Sequence, residues 1–80
     1  MHYVYFIESM RQPGQRYVGH TDNLKVRMLG HNSGNTPSTA RYRPWKLVCY
    51  LGFADGMKAI TFERYLKTGS GHAFSRRHFL

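Results

Sequence analysis

His2-Tyr3-Val4-Tyr5-Phe6-Ile7, then Arg11-Gln12-Pro13-Gly14-Gln15, then Arg16-Tyr17-Val18-Gly19: this opening stretch decides the fold. The first run is built from β-branched and aromatic residues, the composition of a strand. Pro-Gly punctuates the middle segment as a turn. The third run has strand composition again, so the N-terminus reads as a β-hairpin.

Moving outward, Thr21-Asp22 is placed to cap a helix that runs to about His31, before Asn32-Ser33-Gly34 stops it. Leu24, Arg27, Met28 and His31 follow the i, i+3, i+4, i+7 spacing and share one face. A loop from Gly34 to Pro44 carries Arg41 and Arg43. Trp45 to Phe53 is nearly continuous in apolar residues, which predicts a central third strand. Asp55 caps a second helix that ends at Thr68-Gly69, where glycine suits the left-handed position after a helix. Ser70 is placed to cap a last short helix through His78. With no repeats or linkers, the chain reads as a single domain, residues 1–80. The element order ββαβα plus a terminal helix gives the α+β class.

Twelve Lys and Arg against four Asp and Glu give a net charge of +8. Such an excess concentrates polyanions and speeds their association, which points to nucleic acid. An anionic membrane surface, an acidic protein and a merely soluble basic domain are the alternatives. The membrane reading is the weaker one, because no long amphipathic basic helix stands out. A 41% hydrophobic and 15% aromatic content excludes a disordered tail. Cys49 has no partner for an internal disulfide and sits in Leu47-Val48-Cys49-Tyr50-Leu51, as a buried, inert thiol would. Without a signal peptide or an apolar stretch of about 20 residues, the expected place is the cytoplasm, at the nucleoid in a bacterium.

The acidic residues sort one by one. Asp22 and Asp55 fall at helix starts, and Glu8 at a strand end beside the turn, where solvation is expected. Glu63 falls on the apolar stripe of Ala59, Phe62 and Leu66. A carboxylate there is costly unless it is paired or bound to a cation. An ion pair with one of the basic residues is the plainer account, and a ligand for Mg²⁺ the sharper one. Arg27 and His31 lean toward the same interior or cleft. Each has an ordinary packing role as its alternative, yet a planar guanidinium is also what phosphate recognition asks for.

Val4-Tyr5 and Tyr17-Val18-Gly19 resemble the paired motifs that name the GIY-YIG nuclease family. Arg27 and His31 fall in the family's arginine and histidine places on the next helix. Glu63, in Phe62-Glu63-Arg64, falls in that of the metal-binding glutamate. Tyr17-Val18-Gly19-His20-Thr21, Arg43-Pro44-Trp45-Lys46-Leu47-Val48 and Lys67-Thr68-Gly69-Ser70-Gly71 are similar to the short stand-alone members. They are similar also to the catalytic domain of the structure-specific nuclease that trims branched DNA. The resemblance covers essentially the whole chain. Tyr3 stands where the first motif has glycine. For the asparagine that follows the glutamate in longer relatives, Ser70 and Ser75 are the stand-ins.

The resemblance implies a small three-stranded antiparallel sheet flanked by helices. It implies a DNA endonuclease dependent on Mg²⁺ or Mn²⁺, with the ion on Glu63 and Arg27 on the scissile phosphate. Tyr5 and Tyr17 would orient and deprotonate the water. The choice of base between them, and any share of His31, stays open. Gly19 would permit close backbone approach. Substrate contacts are expected from His20, Arg41, Arg43, Lys46, Lys67, Arg76 and Arg77, with Tyr42 interleaved and Trp45 in the core. Such contacts position a backbone without naming bases, so the expected substrate is single-stranded or branched DNA. A non-catalytic binding module, or a nuclease subunit that relies on a specificity-giving protein partner, is the competing reading.

Overall fold

The computed structural model describes residues 1–80. In chain order it contains β1 (His2–Ser9), β2 (Arg16–Thr21), α1 (Leu24–Ser33), α2 (Pro37–Ala40), β3 (Trp45–Phe53), α3 (Gly56–Leu66) and α4 (Gly69–His78). The α+β class and the three-stranded antiparallel sheet are as expected.

The strand order is not. It runs β2-β1-β3, so β1 is central and β3 lies at an edge. The reason is what covers each face. In β1 the whole run Val4-Tyr5-Phe6-Ile7 is buried. Val4 and Phe6 pack with Ala59 and Leu66 of α3. Tyr5 and Ile7 point to the other face and meet Trp45, Tyr17, Leu24 and Met28. The equally apolar β3 leaves Leu47, Val48 and Tyr50 exposed. Trp45 is in the core as expected, and Cys49 is only half-buried, where burial pushes its thiol up.

Helix starts follow side-chain oxygens, with shifts from the expected residues. Asn23, not Thr21-Asp22, caps α1 by accepting from the Val26 amide at 3.1 Å. Thr21 is held in the sheet opposite Tyr3, so the first backbone free to turn is two residues later. Gly34 closes α1 in the left-handed conformation, as its stop signal predicts. The expected loop between Gly34 and Pro44 contains α2, which begins at Pro37, a residue pre-set for a first helical turn. Asp55 caps α3 as predicted, accepting from Met57 N at 2.9 Å.

The α3–α4 junction is tighter than expected. Lys67 ends α3, and Gly69 opens α4 instead of terminating α3. Thr68, not Ser70, caps α4 by accepting from Gly71 N at 3.1 Å. The helices follow each other so closely that a Cβ on Gly71 would overlap the Tyr65 carbonyl oxygen and come 2.5 Å from Leu66 Cα. Glu8, expected in solvent, accepts from the Gly14 amide at 3.0 Å and pairs with Arg16 at 3.6 Å. It thereby staples the hairpin turn. No helix is long and apolar enough to cross a membrane.

Candidate active site

Tyr5 and Gly19 are cross-strand partners in the β1–β2 ladder. The side chain Gly19 lacks is the space the Tyr5 hydroxyl takes. A Cβ there would sit 2.5 Å from Tyr5 Oη, 2.7 Å from its Cζ and 3.0 Å from the Tyr17 ring. The close approach to the backbone expected at Gly19 is present, and the group that makes it is the Tyr5 side chain. Gly19→Ala is therefore expected to cost about 1–3 kcal/mol of stability by overpacking. It is also expected to lower activity sharply by displacing Tyr5, read from a denaturant melt beside a cleavage time course.

From this seat the Tyr5 hydroxyl lies 2.7 Å from His31 Nε2, and His31 Nδ1 lies 2.7 Å from Thr39 Oγ1. Thr39 Oγ1 donates in turn to the Thr36 carbonyl. That direction fixes the rest: Nδ1–H donates to Thr39, and Nε2 accepts from Tyr5. All three side chains are buried, so the relay is isolated from solvent. Burial raises the Tyr5 hydroxyl to about 12, against the opposing pull of the Arg27 charge. Burial, and then Arg27, pushes His31 below its ordinary value. Both groups are neutral at physiological pH. Because folding depresses the His31 value, its contribution to stability is present above 6.5 and fades as the pH falls below it. The melting temperature is expected to start falling as pH is lowered below about 6.5, while the His31 ring protons of the folded protein titrate only at a lower pH by NMR.

Tyr17, half-buried, stands at the opening of this arrangement. Its ring packs edge-on against His31, 5.3 Å between centroids, and lies 6.5 Å from Tyr5. The Lys67 ammonium sits 5.4 Å above the Tyr17 ring. Arg27 is exposed on α1 and lines, with His20, Asp22 and Ile60, a cavity of about 430 Å³.

Glu63 reaches the β2 edge from α3. Its Oε1 is 2.7 Å from His20 Nδ1 and its Oε2 is 2.6 Å from Lys67 Nζ. The expected ion pair is thus present, with two partners. Burial opposes the charge of Glu63, but bonds to Lys67 and His20 outweigh it and hold the carboxyl below its usual range. The fold therefore gathers Tyr5, Tyr17, Arg27, His31 and Glu63, and adds His20 and Lys67, which the sequence assigns to substrate binding alone.

Other predicted contacts lie apart from this cluster. Arg41 stacks on Tyr42, its guanidinium carbon 5.3 Å from the ring centroid. Arg43 donates to the Ala40 carbonyl at 3.0 Å and rests against Gly34, a structural task. Lys46 lies opposite Glu8 on β3. Arg76 and Arg77 are exposed on α4. Thr39 is the residue the sequence reading misses. Its signal was available in Thr36-Pro37, a helix start inside the supposed loop.

A family model described as the GIY-YIG catalytic domain matches residues 1–76. The chain belongs to the GIY-YIG endonuclease family. Similar curated proteins carry two kinds of name. A "Structure-specific endonuclease subunit SLX1 homolog" from Giardia intestinalis is 35% identical over 65 residues, 76% of this chain and 18% of the relative. A "UPF0213 protein" from Streptococcus pneumoniae is 36% identical over 66 residues, 81% of this chain and 65% of the relative. Another from Lacticaseibacillus paracasei is 33% identical over 69 residues, 85% of this chain and 78% of the relative. This GIY-YIG chain spans only 10–27% of the length of the first structure-specific endonuclease subunits it matches.

Proposed function

We propose that this GIY-YIG domain is a divalent-metal-dependent DNA endonuclease acting on single-stranded or branched DNA. The observation that carries the reading is the convergence at the β2 edge of a buried carboxylate, a half-buried tyrosine and an arginine, backed by the Tyr5–His31–Thr39 relay.

The donor set fits a hard divalent cation. No group of three or more His, Cys, Asp or Glu side chains is built here, and Mg²⁺ takes one or two carboxylates while water and substrate oxygens complete its shell. Glu63 is the side chain that would hold it. Lys67 and His20 engage both its oxygens, but each is about half exposed, at 49% and 46%, and free to turn outward. When bound, the ion supplies Lewis-acid stabilisation of charge on the phosphate and the leaving oxygen.

The chain's own residues do the rest. Arg27, at the cavity wall, grips the scissile phosphate as its charge grows. Tyr17 takes the proton of the attacking water; what supports this choice is access, since Tyr5 is fully buried and Tyr17 is not. Only a phenolate can take that proton, and the Lys67 ammonium over the Tyr17 ring is the counter-cation for this form, which the transfer returns to the neutral phenol. Tyr5, held protonated by burial and bonded to His31, fixes the position of Tyr17 and of the Gly19 backbone. Relatives named structure-specific endonuclease subunits support a substrate recognised by form, and a protein partner. Arg41, Lys46, Arg76 and Arg77 would hold phosphates without reading bases. Arg41→Ala is expected to weaken binding and reduce the salt slope by about 0.7–0.9, the loss of one phosphate contact.

The test is cleavage of labelled single-stranded, duplex and branched DNA with Mg²⁺, Mn²⁺ or EDTA. Metal-dependent internal cutting of unpaired or branched DNA is expected. DNA binding without cutting of any form would replace the proposal with a binding module or a subunit that needs its partner.

A further inference from the structure

A second hollow, of about 480 Å³, lies on the other side of Tyr17 and Lys67, between the hairpin turn, the end of α3, and α4. Its size is within the range of about 300–1,000 Å³ for small-ligand sites. Arg16, His72 and Arg76 line it with Lys67, and no acidic side chain does. Arg16 is tethered by Glu8 at 3.6 Å, and His72 and Arg76 stand one turn apart on α4. The inner surface is apolar, with Val18 half-buried above Phe6 and Leu66 and with Tyr17 at the margin, its ring turned to the other sheet face toward His31. In the wall, the Ser75 hydroxyl is buried and has no hydrogen-bond partner. Buried polar groups are rarely left so, and this one is free to serve a ligand. A cationic rim around an apolar floor matches a phosphate joined to a base, not a lone anion and not an apolar peptide.

We propose that this hollow takes an unpaired nucleotide adjoining the scissile phosphate, with the base on the apolar floor of Val18, Phe6 and Leu66 and its phosphate among Arg16, His72 and Arg76. The inference rests on the endonuclease reading and deepens it. Tyr17 and Lys67 border both sites, so a strand bonded at the catalytic edge reaches the hollow with its next residue. A base locked in a duplex must break its pair to enter, at a cost of a few kcal/mol, whereas an unpaired base enters without that penalty. Preference for single-stranded or branched DNA then has a physical source in this chain.

Two measurements decide it. In NMR titrations of the intact chain, thymidine 5′-monophosphate is expected to shift the amides of Val18, His72 and Arg76 saturably. Inorganic phosphate alone should bind there about tenfold more weakly, since the apolar contact of the base is lost. Equal affinity for inorganic phosphate would leave only an anion site and overturn the proposal, as would shifts confined to other residues. In the second measurement, a single abasic residue is walked through a single-stranded substrate. Loss of about tenfold in kcat/KM is expected at one position beside the cut, and that positional dependence should vanish in His72→Glu/Arg76→Glu. A uniform response along the strand overturns the proposal. If no DNA is cut at all, the endonuclease reading fails, and the nucleotide titration still decides the hollow.

Discussion

Glu63→Ala is expected to reduce single-turnover DNA cleavage by at least about 100- to 1,000-fold, the range for loss of one preorganised electrostatic group, while DNA affinity stays near wild type. Glu63 is the buried carboxylate of this chain. Glu8 is committed to the hairpin turn and Asp55 to the α3 cap. Asp22 is the acidic side chain that lines the cavity with Arg27 and His20, which makes Asp22→Ala the control. If cleavage collapses with Asp22 and survives loss of Glu63, the ion belongs to Asp22. Loss of folding is not the expected cause. Lys67 and His20 are half exposed and can exchange the carboxylate for water, at a cost within about 1 kcal/mol. A thermal melt of each variant checks this, and Glu63→Gln separates the loss of charge from the loss of shape.

Tyr17→Phe is expected to lower kcat by about 10²- to 10⁴-fold, the contribution of a positioned general base. The informative comparison is Tyr5→Phe. That change removes the donor to His31 Nε2 inside a fully buried site, so its first effect should be on stability, about 1–3 kcal/mol for a stranded acceptor. Its effect on rate should come through loosened geometry and be partly recovered at lower temperature. An inactive Tyr5→Phe protein with unchanged stability, beside an active Tyr17→Phe protein, would exchange the two roles.

The hairpin was legible because alternation along a strand is local. The register that pairs Ile7 with Tyr17, and so puts Tyr5 and Tyr17 on one face, is not dictated by the turn residues, whereas the i, i+4 spacing put Arg27 and His31 on one side of α1. Strand order was not legible. His2–Ile7 and Trp45–Phe53 are both apolar runs, and only the packing of α1 and α2 on one face and α3 and α4 on the other makes β1 the central strand. Side-chain partners formed across the chain were equally out of reach. Thr36-Pro37 marks the helix start that carries Thr39 but not its place at the end of a relay begun at Tyr5, and nothing in Lys67 distinguishes a partner of Glu63 from any other surface cation. The charge pattern pointed to a polyanion; tertiary placement alone tells which cations guard the carboxylate and which stand free.

The placement of β2 at the sheet edge has a consequence for how a polymer meets this protein. Gly19, His20 and Tyr17 sit on a border strand, so the reactive groups proposed above would occupy a rim and not the bottom of a tunnel. A chain of any length can be laid across such a rim sideways, with both of its ends remaining outside. No terminus has to be found or fed through. Attack at interior bonds, and release of two long products without unthreading, follow from the geometry of an open border.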